Sequence, residues 1–119
     1  MEKKCNCSEE NMSLPDEIVM SLRKYGGIVG LLKSLPDDET LASSGEIHKA
    51  LSDPIRLKII SMLSIQPLCV CVLKAGLGIT DSRLSYHLSV MRKAGLIEGE
   101  QQGNWIIYGL TEDGKKWAL

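Results

Sequence analysis

The most distinctive chemistry in this 119-residue chain lies in its four cysteines, which come as two C-x-C pairs, Cys5-Asn6-Cys7 and Cys69-Val70-Cys71. In a reducing compartment, that spacing points to a thiolate metal site rather than to disulfides. Residues i and i+2 of an extended segment point the same way, so Cys5 and Cys7 can share one ion. In a regular helix those positions lie about 200° apart. Cys69 and Cys71 can therefore chelate together only if Cys69 precedes the helical dihedrals, a placement that Pro67 favours. Four thiolates form a soft tetrahedral site suited to Cd, Pb or Zn, and three suit trigonal As(III). The alternatives are simple core packing for Cys69 and Cys71, and oxidation of the same thiols in a redox switch. His48 and His87 stand singly on separate helices and suggest no second metal site.

A second chemistry is carried by residues 80–95. Thr80 reads as an N-cap and Gly95 as a stop. On a wheel of about 100° per residue, Leu84, Leu88 and Met91 share an inward side. Ser82, Ser85, Tyr86, Ser89 and Lys93 lie opposite, with Arg83 and His87 on one flank and Arg92 on the other. No acid follows Asp81 in this helix. Small hydroxyls let a helix sit close in a major groove, while Arg, His or Tyr reach base edges and phosphates.

The charge distribution agrees. Residues 1–47 hold five Lys and Arg against nine Asp and Glu, residues 48–97 seven against two, and residues 98–119 two against four. A basic middle between acidic flanks suits a polyanion, although the whole chain is nearly neutral at −1. With 44 % hydrophobic and 24 % charged residues the composition is ordinary for a folded domain,. No apolar run approaches the roughly 18 residues of a membrane span. The first residues lack the apolar stretch of a signal peptide, so a cytoplasmic protein is expected.

The elements that must position these groups follow from periodicity. Residues 1–13 read as a flexible cysteine-bearing arm. Ile18, Leu22, Tyr25, Val29 and Leu32 recur at helical spacing, with Gly26-Gly27 marking a kink or a close helix contact. Pro36-Asp37-Asp38 ends that helix, and a second runs over 39–51. Asp53 as N-cap and Pro54 at the first helical position start a third, which Gln66-Pro67 ends. Residues 69–75 form a short helix closed by Gly76 and Gly78, ahead of the helix over 81–94. The period then changes to two, giving strands over 96–102 and 104–110, and a last helix runs from Thr111 to the C-terminus. Two helices joined by a tight turn and followed by a hairpin make a winged helix-turn-helix, mainly α with a β-hairpin wing in an α+β arrangement. The wing tip offers Gln102 and Asn104 rather than Lys or Arg, so its hydrogen bonds to phosphate are weaker. Trp105 and Tyr108 read as packing residues.

Three segments resemble the ArsR/SmtB family of metal-responsive repressors. His48-Lys49-Ala50-Leu51-Ser52-Asp53-Pro54-Ile55-Arg56-Leu57 is similar to the opening of that domain, and Leu68-Cys69-Val70-Cys71 to its metal-sensing helix. Ser82-Arg83-Leu84-Ser85-Tyr86-His87-Leu88, then Met91-Arg92-Lys93-Ala94-Gly95-Leu96-Ile97, resembles its recognition helix and the entry to the wing. The likeness covers roughly residues 40–112. It implies a homodimeric winged-helix repressor that binds a double-stranded, palindromic DNA operator and is released by a toxic metal or metalloid. It assigns DNA readout to Ser82, Arg83, Ser85, Tyr86 and His87, and dimerisation to the first and last helices of residues 14–119. The cadmium/lead-type branch, in which arm cysteines of one subunit join the C-x-C of the other, implies Cys5, Cys7, Cys69 and Cys71 as ligands.

The sequence departs from that pattern in four ways, one being that the arm pair Cys5-Asn6-Cys7 is closer spaced than the cadmium branch tends to have it. Pro67 and Val72 stand where acids are common, no third Cys follows Cys71 at the arsenite-type spacing, and the last helix has no His. An enzyme is not expected, because the chain has no phosphate-binding glycine loop and no nucleophile paired with a base. Two readings stay beside the metal-released repressor: a redox-responsive repressor on the same fold, and a zinc-stabilised interaction module without a DNA role.

Overall fold

A computed structural model describes residues 13–119. Residues 13–38 form one unit and residues 39–119 a second. The cysteine arm expected over residues 1–13, with Cys5 and Cys7, falls outside the described residues except for Ser13.

The first unit holds α1 (Asp16–Lys24) and α2 (Gly27–Lys33). The single kinked helix expected here is two helices. Gly26 and Gly27 take φ of +84° and +78°, a left-handed backbone that residues with a Cβ seldom adopt. Two such residues in succession end a helix rather than bend it. Ile18, Tyr25, Val29 and Leu32 are exposed.

The second unit is built from α3 (Asp38–Ala50), α4 (Pro54–Ile65), β1 (Leu68–Cys69), α5 (Val70–Leu77), α6 (Asp81–Lys93), β2 (Ile97–Gln102), β3 (Trp105–Leu110) and α7 (Glu112–Lys116). Asp53 caps α4 as expected, its carboxylate accepting from the Ile55 amide at 2.8 Å and the Arg56 amide at 3.3 Å. Partial burial raises the Asp53 pKa, but these amides and the Arg56 charge more than compensate, leaving it below the ordinary range. Thr80 caps α6 through the Arg83 amide. At the far end Gly95, with φ +77°, lets the Leu96 amide reach back to the Met91 carbonyl at 3.0 Å. That closure turns the chain directly from recognition helix into wing.

The sheet has three antiparallel strands in the order β1-β3-β2. Only the hairpin was expected. β1 adds Leu68 opposite Tyr108 and Cys69 opposite Ile107. The last helix is shorter than expected and stops at Lys116. One core joins Ile59, Ile60 and Leu63 of α4 to Leu73 of α5 and to Leu84, Leu88 and Met91 of α6, closed by Leu96, Ile97 and Tyr108. The inward side assigned to α6 is therefore the observed one. Tyr108 packs as expected, whereas Trp105 is 58 % exposed near the wing tip.

Candidate metal centre and nucleic-acid interface

The cysteine pair sits where strand becomes helix. Cys69 is the last residue of β1 and the N-cap of α5, with φ −77° and ψ 160°. It therefore precedes the helical dihedrals, the one placement in which its side chain can share a side with Cys71. The two Sγ atoms lie 2.7 Å apart. Cys69 is half-buried and Cys71 exposed, and both are free thiols. The hydrogen bond from the Cys71 thiol, aided by the amides of the first helical turn, holds the Cys69 thiol below its ordinary range. The same bond, with a desolvation contribution, pushes Cys71 up. Of the two, Cys69 is the sulfur that gives up its proton more readily, and an ion held by both displaces the proton of each,. Around a tetrahedral ion with bonds of about 2.3 Å the sulfurs would separate to about 3.8 Å, which the exposed Cys71 side chain can allow. The donor set fits a thiophilic ion. Among the described residues no cluster of three or more His, Cys, Asp or Glu could hold a metal.

An open hollow of about 480 Å³ lies over the pair, lined also by Lys74, Asp81, Asn104, Trp105 and Ile106. The start of α5, the start of α6 and the wing tip therefore meet at one place. Lys74 Nζ and Asp81 Oδ1 pair at 2.9 Å there. Sequence reasoning missed this contact. Its signal was a lone cation in α5 seven residues ahead of a lone acid in α6.

The outer face of α6 presents Ser82, Arg83, Ser85, Tyr86 and Lys93 to solvent, with Tyr86 62 % exposed and Ser89 half-buried. Gln102 and Asn104 are exposed at the wing tip. His87 does not belong to this face. It is 6 % exposed, and its Nδ1 accepts from Arg56 Nη1 at 3.0 Å. Arg56 has no acceptor of its own, so His87 carries its proton on Nε2. At 6 % exposure and with Nδ1 given to Arg56, the ring packs α6 against α4, a structural role in place of the DNA contact expected of His87. The angular estimate put it on a flank, and the arginine of α4 draws that flank inward. His48 also packs, edge-on to Trp117 with ring centroids 5.1 Å apart and Nδ1 2.7 Å from the Ser44 carbonyl.

A helix-turn-helix whose second helix shows a hydroxyl-rich, acid-poor face, followed directly by a β-hairpin wing, defines a winged-helix DNA-binding regulator. The family described as "bacterial regulatory protein, arsR family" matches residues 53–98. The chain is 30 % identical to a transcriptional repressor SmtB homolog of Synechocystis, over 95 % of this chain and 83 % of the relative. It is 38 % identical to the arsenical resistance operon repressor of Bacillus subtilis, over 63 % of this chain and 72 % of that one. Among solved structures, HlyU from Vibrio cholerae superposes with a TM-score of 0.62 at 28 % identity, covering 67 % of this chain and 88 % of that one. A homodimeric winged helix-turn-helix domain from Mycobacterium bovis shares the fold at 23 % identity and a TM-score of 0.63, covering 70 % of this chain and 80 % of that one. The chain belongs to the ArsR/SmtB family and is a transcriptional repressor, not an enzyme. No helix among the described residues is long and apolar enough to cross a membrane.

Proposed function

We propose that the chain is a homodimeric repressor that leaves a palindromic operator when a thiophilic ion binds its cysteines. The single observation that carries this is the 2.7 Å approach of Cys69 and Cys71 at the start of α5, one short turn ahead of the DNA-reading helix. Ser82, Arg83, Ser85, Tyr86, Ser89 and Lys93 face the major groove, and Gln102 and Asn104 reach the backbone beside it. Cys69 and Cys71, joined by Cys5 and Cys7 of the arm over residues 1–13, hold Cd, Pb, Zn or As(III). The arm thereby pulls on the start of α5. Because β1 is paired with β3, that pull reaches the wing as well as the turn into α6. The exposed apolar side chains of Ile18, Tyr25, Val29 and Leu32 support dimerisation through the first unit. Recognition helices of the dimer would then stand about 34 Å apart.

The test uses the full chain and a labelled duplex obtained by in vitro selection. Cadmium should weaken wild-type binding by about 10-fold or more and leave Cys71→Ser bound. Undiminished cadmium release from Cys71→Ser overturns the proposal.

The second reading is a redox switch at the same pair, supported by the same close approach of the two free thiols. In that case hydroperoxide, rather than cadmium, releases the duplex. Membership of a repressor family argues against the module without a DNA role.

A further inference from the structure

Two oppositely charged side chains, Lys74 and Asp81, stand beside the cysteine pair. Of the eight residues of α5 Lys74 alone is charged, and Asp81 is the lone acid of α6. Their side chains pair at 2.9 Å, and both line the hollow that Cys69 and Cys71 share. Lys74 follows Cys71 by three residues, one turn along the same helix face. Asp81 is the first residue of α6, and its side chain is 80 % exposed. In a helix-turn-helix that end of the recognition helix enters the groove. A bare carboxylate there repels phosphate, and the Lys74 ammonium masks it.

We infer that Lys74 changes partner: it screens Asp81 in the DNA-bound state and turns to the thiolate–metal centre when an ion is held, uncovering a negative charge at the DNA-facing end of α6. The inference rests on the proposed thiolate site. With Cys5 and Cys7 joining Cys69 and Cys71, as in the proposed site, a divalent ion held by three or four thiolates leaves a centre with one or two net negative charges. That charge arises one helical turn from the ammonium and competes directly with a single, well-solvated carboxylate. The sign follows without any helix rotation, since ion binding adds repulsion toward DNA.

Three full-length proteins decide it: wild type, Asp81→Asn and Lys74→Met. Each is measured for duplex affinity with and without Cd(II), and for the thiolate-to-cadmium absorption band. Without cadmium, Asp81→Asn should bind DNA at least as tightly as wild type, and Lys74→Met about three- to fivefold more weakly. In both variants the cadmium effect should shrink by about three- to fivefold with the band unchanged. A wild-type-sized cadmium effect in either variant overturns the inference. Loss of the band in Asp81→Asn also overturns it, because the carboxylate would then be a ligand. Failure of cadmium to weaken the wild-type complex shows instead that the thiolate-release reading is wrong, and the inference falls with it.

Discussion

Arg56 of α4 donates from Nη1 to Nδ1 of His87 on the recognition helix across 3.0 Å, and both side chains are buried. The same guanidinium donates from Nε to the Ala50 carbonyl at 2.6 Å and from Nη2 to the Lys49 carbonyl at 3.5 Å. One side chain thus caps the end of α3, springs from α4 and anchors α6. The orientation of the DNA-reading face depends on this triangle as much as on the apolar core beneath it.

Removing the guanidinium strands three acceptors on two elements, the Ala50 and Lys49 carbonyls of α3 and Nδ1 of His87 on α6. Arg56→Met should cost about 3 kcal/mol of stability, read from urea unfolding at neutral pH. Arg56→Lys should recover little, because a single ammonium cannot span three acceptors. A loss below about 1 kcal/mol, within the range of an ordinary surface change, would show the triangle to be incidental.

Burial, with the charges of Arg56 and Arg83, holds the His87 ring below its ordinary value of 6.5, against the opposing pull of Asp53. The unfolded chain therefore takes up this proton at higher pH than the folded chain. Stability from this group is fully present above pH 6.5 and is lost as pH falls below it toward the depressed folded value. Unfolding free energies measured from pH 8 down to pH 5 should decline below 6.5 in wild type, and less steeply in His87→Gln. Parallel curves for the two proteins would contradict the assignment.

Arg83 is the first exposed cation along α6. Arg83→Ala should weaken operator binding by about tenfold, and the slope of log affinity against log salt should fall by about one. His87→Gln should leave that slope unchanged, since its ring faces Arg56 and not DNA. A salt slope that responds to His87 and ignores Arg83 would reverse the two roles.

Much of the domain was legible because its signals are local. Asp53-Pro54, Thr80 and Gly95 announce helix ends through backbone chemistry that does not depend on distant contacts. The change of pattern after Gly95 and the turn at Gln102-Gly103-Asn104 mark the hairpin for the same reason. What escaped depended on partners remote in sequence. β1 is two residues long and exists only because β3 offers it an edge. His87 turns inward because Arg56, 31 residues earlier, draws it. The Gly26-Gly27 break goes beyond the kink or close contact that the sequence suggests, because glycine spacing alone does not reveal two successive positive φ angles. Within the candidate site, the condition that Cys69 precede the helix was legible, and it is the observed geometry. The Lys74–Asp81 pair beside it was not, because it forms only when α5 folds back against the start of α6.

The proposed release of DNA depends on one thiolate site shared between the arm and the start of α5. The most direct measurement is an ultraviolet titration of the reduced, metal-free full chain with Cd(II), following sulfur-to-metal charge transfer. The account predicts a band that saturates near one ion per subunit and is lost in Cys69→Ser/Cys71→Ser and diminished in Cys5→Ser/Cys7→Ser. A weak band that never saturates, or one indifferent to Cys69 and Cys71, would contradict it.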